Sequence, residues 1–192
     1  MRYVGVIYDT AQGMDTLVSE LSMLSKLSLD KVPFYFEKIK AKDFFEEYTA
    51  YAADTLGEAD IEFIYNFECD EDREINIDPA QFRRVLNNLI DNSRKYGAED
   101  GTAKIMLSVR NGENGHTEIS IEDNGQGVPA DERDKIFETF YRGDKARTGH
   151  KNGSGLGLAI TKQITDRHGA SIRADESELG GLKVIIDLPQ AK

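Results

Sequence analysis

Residues 78–97 read DPAQFRRVLNNLIDNSRKYG, and the rest of the chain is organised around this stretch. Asp78 before Pro79, with Gln81 three residues after the acid, is a helix start. The carboxylate caps the first turn, and proline at the first position has no N–H to leave unpaired. Gly97 is a natural stop, so the spacing predicts a helix over 79–96. Val85, Leu86, Leu89 and Ile90 fall on one side of it, and Asn88, Asn92 and Lys95 share the other. Solvated helix faces usually favour Glu and Lys, and asparagine is a poor helix former. Two mid-helix asparagines one turn apart therefore point to chemistry. A carboxamide oxygen can bind Mg²⁺, which bridges phosphates. Lys95 can meet phosphate oxygens, and Tyr96 can pack on a base or ribose. Asp91 is expected to point about 100° away from that face.

Outward from this helix, Ile61, Phe63, Tyr65 and Phe67 alternate as a strand, and a short strand is expected at 74–77. Residues 42–57 read as a helix ending at Gly57. Downstream, Ile105, Leu107 and Val109, then Ile119 and Ile121, alternate about the Asn111-Gly112 and Asn114-Gly115 turns, which makes a hairpin. A polar, glycine-containing stretch over 129–152 holds one short helical patch near 131–139. A helix is expected from 155 to about 168, and a last hairpin over 171–175 and 182–188 turns at Gly180-Gly181. Helices clustered with antiparallel hairpins give an α+β fold with one layer of each.

The N-terminal segment has another character. Val4, Ile7, Ala11, Met14, Val18, Leu21 and Ser25 recur in alternating steps of three and four, a heptad seam widened by Leu17, Leu24 and Leu27. One such helix cannot bury its stripe alone, so the period favours partner helices from a second copy. Pro33 ends the segment and places a hinge near 29–34.

Composition sets bounds. The net charge of −11 argues against a nucleic-acid partner. Cys69, the one cysteine, permits neither an internal disulfide nor a cysteine metal site and fits a reducing compartment. No apolar run approaches the roughly 20 residues that cross a bilayer, so no membrane contact is expected of these residues. Within this acidic chain, 141–151 carries Arg142, Lys145, Arg147 and Lys151 against Asp144 alone, which suggests an anionic ligand.

Two glycine-rich turns complete the pattern. Asp123 ends a strand and enters Asn124-Gly125-Gln126-Gly127. Its carboxylate can accept the exocyclic amino group of adenine, whereas guanine offers a carbonyl there. Gly153-Ser154-Gly155-Leu156-Gly157 opens a helix whose N–H groups favour an anion. The spacing is neither a dinucleotide fingerprint nor a P-loop.

Together these stretches resemble the catalytic part of bacterial sensor histidine kinases, whose nucleotide domain is shared with gyrase, ninety-kilodalton heat-shock chaperones and mismatch-repair ATPases. Residues 88–96 are similar to the family's asparagine box, 123–127 to its first glycine box, 136–144 to its phenylalanine box and 153–160 to its second glycine box. The ending, 168–172 through 180–189, also follows the family. The resemblance covers almost all of 34–189, and 3–27 resembles the second helix of the dimerisation bundle.

The resemblance implies a two-layer sandwich of Bergerat (GHKL) type, a mixed, mostly antiparallel sheet covered by three helices and preceded by one long bundle helix. The implied domains are a partial bundle over 1–30, a hinge linker over 31–41 and an ATP-binding domain over 42–192. It implies ATP and Mg²⁺ as cofactors, with Asn92 as the metal ligand and Asn88 beside it near the phosphates. Lys95 and Tyr96 line the phosphate and sugar-base region, Asp123 reads adenine with Gly125 and Gly127 close to the base, and Arg142 after Phe140 stabilises transferring charge. Gly153, Ser154, Gly155, Leu156 and Gly157 close over the nucleotide, and catalysis falls to Asn88, Lys95 and Arg142.

The implied reaction passes the γ-phosphate to a histidine on a bundle helix and then to a response-regulator aspartate. The implied setting is a homodimer on the cytoplasmic side of a membrane-anchored parent. None of His116, His150 and His168 sits in the family's acceptor context, so the chain is expected to bind ATP without labelling itself. ATPase relatives carry a glutamate where this chain has Asn88, an amide with no useful basicity, so fast hydrolysis is not expected. Two other readings share the pocket: a nucleotide-binding interaction module without transfer, and an anti-sigma-type serine kinase, which the heptad helix disfavours.

Overall fold

The computed structural model describes residues 2–57, 61–97, 102–143 and 153–191. In chain order the elements are α1 (Arg2–Ser28), β1 (Glu37–Lys40), α2 (Ala41–Gly57), β2 (Ile61–Glu68), β3 (Glu74–Ile77), α3 (Pro79–Tyr96), β4 (Ala103–Asn111), β5 (Thr117–Asp123), α4 (Gly157–Arg167), β6 (Ser171–Glu176) and β7 (Leu182–Leu188). The main sheet runs β2-β4-β5-β7-β6, and β1 pairs with β3 in a separate ribbon. Only β2 and β4 are parallel; the other pairs in both sheets are antiparallel. A crossover through β3 and α3 joins the parallel pair, as parallel neighbours require.

Alternation along the strands decides which face is covered. Ile105, Leu107 and Val109 of β4, Ile119 and Ile121 of β5, and Val184 and Ile186 of β7 are all buried. They meet Phe44, Phe45 and Tyr48 of α2, Phe82, Leu86 and Leu89 of α3, and Ile160 and Ile164 of α4 in one core. Three helices thus cover one face of a mixed sheet. Asp123 has the same parity as Ile119 and Ile121, so the end of β5 sends its carboxylate to the helix side.

The α3 start follows the capping rules. Asp78 Oδ1 accepts the Gln81 N–H at 2.9 Å, and Pro79 occupies the first helical position. The other Asp78 oxygen accepts the Tyr35 N–H at 2.8 Å, and the Asp78 N–H donates to His168 Nε2 at 3.0 Å. His168 Nδ1 lies 2.8 Å from the Ile164 carbonyl, so that nitrogen carries the proton. Phe34, Phe36 and Phe82 meet this ring edge-on at 5.1–5.6 Å. The segment expected as a plain hinge linker, 31–41, therefore holds a strand, β1, and is tied down at Tyr35. The short helical patch expected near 131–139 consists of two 3₁₀ turns, Ala130–Glu132 and Lys135–Phe137.

The long helix α1 is half docked. Leu24 and Leu27 are buried, while Met14, Leu17, Val18 and Leu21 are exposed. Its C-terminal end meets α4. Ser28 bonds Gln163, and Arg167 reaches the Leu27 carbonyl, the Val32 carbonyl at 3.2 Å and the Asp30 carboxylate. Val4 and Ile7 of the expected seam lie outside the described side chains.

Burial holds His168 below its ordinary pKa of 6.5. A depressed histidine is neutral when folded, so the unfolded chain binds the extra proton. The stability it contributes is complete above pH 6.5 and is lost as pH falls below that value. Thermal unfolding of a His168→Gln variant is expected to depend less on pH than the parent across that acidic window. An identical slope would remove His168 as its source.

Candidate functional site

A cavity of about 660 Å³ opens between α3, α4 and the 123–143 segment, within the size range of small-ligand sites. Asn88, Asn92, Lys95 and Tyr96 of α3 form one wall, and Asp123, Gln126 and Gly127 form the sheet-side end. Arg142 lies on a third side, and Gly153, Ser154, Gly155 and Gly157 lead into α4. Side chains far apart in sequence thus share one cavity, because α3 and α4 pack side by side over the strand that ends at Asp123.

Asp123 is the most constrained member. It is 3% exposed, and its Oδ1 accepts the Gly125 N–H at 2.9 Å and the Leu182 N–H at 3.1 Å. Burial raises its carboxyl pKa above the ordinary 3.8, offset in part by those two donors and by the Ser93 hydroxyl. Both backbone donors engage Oδ1, and the residue lines the cavity. Two glycines make this packing possible. A Cβ on Gly125 would lie 2.1 Å from the Tyr96 carbonyl oxygen, and one on Gly181 would lie 2.2 Å from Asp123 Oδ1. Asn124 closes the same corner by accepting the Lys104 N–H at 2.8 Å and donating to the Thr102 carbonyl at 3.1 Å.

On α3, Asn88 Nδ2 donates to the Gly157 carbonyl at 3.2 Å and to Thr161 Oγ1 at 3.4 Å. The amide is held by its nitrogen, and Asn88 lines the cavity. Among the described residues Asn92 and Lys95 make no hydrogen bond or ion pair, and both line the cavity. Arg142 lines the cavity with its own contacts in place.

Several expected contacts are placed otherwise. Phe140 does not line the cavity: it is 56% exposed, with a left-handed φ of 64°, and its N–H donates to the Gly155 carbonyl at 3.0 Å. Tyr141 takes the wall position instead. Leu156 is fully buried in the core, and its N–H donates to Ser154 Oγ at 3.1 Å. Gly125 stands behind Asp123, off the wall. Asp91 is on the wall, against the expectation that it points away; its carboxylate lies 3.3 Å from Arg94. The cavity wraps further around α3 than a single helical stripe. Lys145, Arg147 and Lys151 of the cationic loop, and His150, lie outside the described residues.

The structure adds wall residues that the motifs do not mark. Gly180, Gly181 and Leu182 come from the β6–β7 turn, and Thr16 and Glu20 come from α1. Paired glycines in a hairpin read first as a turn, which hides their second role against Asp123. Thr16 and Glu20 carry no local signal, since only the docking of α1 on α4 brings them here.

Comparison with known proteins agrees with this geometry. The model for the histidine kinase-, DNA gyrase B- and HSP90-like ATPases matches residues 77–192. The sensor histidine kinase WalK of Bacillus subtilis is 36% identical over 188 residues, 98% of this chain and 30% of that protein. The chain therefore spans about a third of the length of that relative. Among solved structures, a mycobacterial sensor histidine kinase, MprB, has a TM-score of 0.65 at 27% identity, covering 81% of this chain and 98% of that one. Full-length ShkA in complex with AMPPNP has a TM-score of 0.79 over 100% of this chain and 39% of that one; at 21% identity this likeness bears on the fold alone. With well over half its length matched and the same fold, the chain belongs to the family of histidine kinase-, DNA gyrase B- and HSP90-like ATPases.

Proposed function

We propose that this chain binds Mg·ATP in the cavity and transfers the γ-phosphoryl group to a histidine presented by a bundle helix, for relay to a response-regulator aspartate. The convergence of Asn88, Asn92, Lys95, Asp123 and Arg142 on one cavity carries this reading. Asp123 Oδ2 accepts the 6-amino group of adenine. Lys95 and Arg142 meet the triphosphate, and Arg142 offsets charge that develops during transfer. The Asn92 carboxamide oxygen suits Mg²⁺, a hard cation that keeps waters and substrate phosphates around one or two protein ligands. Asn92 would hold the ion, which would supply positive charge against the triphosphate. Asn88, a neutral amide fixed to Gly157, orients the phosphate end without acting as a base.

The two described histidines do not line the cavity. His168 has both ring nitrogens committed in the core, and His116 lies 2.8 Å from Asp187 in the β4–β5 turn at the other end of the sheet. Their placement supports an acceptor histidine on another helix. The exposed stripe of Met14, Val18 and Leu21 on α1 suits a bundle with a second copy, which supports an acceptor on a partner helix. Among the described residues no helix is long and apolar enough to cross a membrane. An ATP substrate places the chain on the cytoplasmic side.

The test is to incubate the purified chain, γ-labelled ATP and Mg²⁺ with a separate histidine-bearing hairpin that completes the bundle. Acid-labile, base-stable label is expected on the hairpin and not on the chain. ATP binding without label on either would instead favour a nucleotide-gated interaction module. An Asn92→Asp variant sets a carboxylate against the triphosphate. It is expected to lose Mg·ATP binding by calorimetry with its circular dichroism unchanged, and undiminished affinity would remove the metal assignment. The raised Asp123 pKa gives a pH test. Adenine's amino group favours the carboxylate, so binding expels any proton held there, and affinity rises with pH through the window above 3.8. Asp123→Asn should abolish that component and weaken ATP by about 10- to 100-fold; an unaltered pH profile would count against the assignment.

A further inference from the structure

Glu122 precedes Asp123 on β5 and so points to the opposite face of the sheet. It is 1% exposed and lies off the cavity wall. Its Oε2 accepts the Ser177 hydroxyl at 3.2 Å and the Glu178 N–H at 3.3 Å, and its Oε1 lies 2.9 Å from Lys183 Nζ. All three partners belong to the β6–β7 turn or the strand that leaves it. The same turn also touches Asp123, through the Gly181 N–H on its backbone carbonyl at 3.0 Å and, on the other face, the Leu182 N–H on side-chain Oδ1 at 3.1 Å. The turn is closed on itself by Ser177 N–H to the Gly181 carbonyl at 3.0 Å and Gly180 N–H to the Ser177 carbonyl at 2.9 Å. Two adjacent side chains of one strand thus grip one turn from both faces of the sheet.

We propose that Glu122 is a positioning residue for base selection: by clamping the 177–182 turn from behind, it fixes the N–H donors that orient the Asp123 carboxylate. This rests on the nucleotide reading above. Glu122 and Lys183 are also directly paired across β5 and β7, and a cross-strand ion pair is the ordinary use of such a register. That use does not account for the burial. An apolar pair of similar volume generally costs less to bury than a carboxylate and an ammonium. The added partners, Ser177 and Glu178, give the carboxylate work that leucine could not do. The tolerance at the far side is small, since Gly181 has no room for a Cβ against Asp123. Slack in the turn moves the Leu182 N–H off Oδ1, frees the carboxylate to rotate and blurs its contact with the 6-amino group.

The measurement compares ATP with purine riboside triphosphate, which lacks the 6-amino group, by equilibrium binding. Glu122→Ala is expected to weaken ATP by about tenfold while leaving the analogue nearly unchanged, so the affinity ratio falls toward one. Glu122→Gln keeps an acceptor oxygen for Ser177 and Glu178 and should restore most of the ratio. Should Glu122→Ala fail to fold, Ser177→Ala removes one arm of the same clamp and is expected to lower the ratio in the same direction. A ratio unchanged in whichever variant folds, or equal losses for both nucleotides, overturns the proposal. A parent chain that binds neither nucleotide would instead overturn the nucleotide reading itself.

Discussion

The carboxylate of Asp123, taken out of water at the end of a central strand, is the constraint from which the site follows. A buried charge needs donors, and the fold supplies them from two distant places: the turn that follows at Gly125 and the hairpin near the C-terminus at Leu182. Both must come within hydrogen-bond distance of one oxygen, which forces glycine at Gly125 and Gly181 where any side chain would collide. The same residue, Asp123, lines the cavity.

Much of this was legible in the sequence because it is local. The α3 boundaries come from Asp78, Pro79 and Gly97, and the observed helix is Pro79–Tyr96. The buried faces of β4 and β5 come from strict alternation at Ile105, Leu107, Val109, Ile119 and Ile121. The four motif stretches also meet around one cavity. Non-local structure was less accessible. The strand β1, Glu37–Lys40, reads as charged linker because only Ile39 among its four residues is half buried, and its pairing partner lies more than thirty residues away. Phe140 and Leu156 carry family signal yet serve the frame of the site, one through its backbone N–H and the other through core packing. Asp91 shows the limit of a helical wheel, which gives directions around an axis but not how far a neighbouring cavity reaches.

The long helix combines two behaviours. Near Leu24 and Leu27 it is an ordinary packed element of the domain, whereas from Met14 to Leu21 its apolar side chains meet solvent. The seam period spans both halves without marking the change, since burial there depends on where α4 ends. Thr16 and Glu20 reach the cavity on the same helix, so the exposed apolar face and the rim of the cavity share a few turns of backbone.

Helix α4 has a mechanical consequence. Its eleven residues span about 16 Å. At one end the Gly157 carbonyl is pinned to Asn88, and at the other Arg167 is fastened to Leu27, Asp30 and Val32 at the base of α1. A short helix resists compression along its axis, so it acts as a strut with a hinge pin at each end. A displacement of the long helix would press on that strut, whose far end, Gly157, lines the cavity.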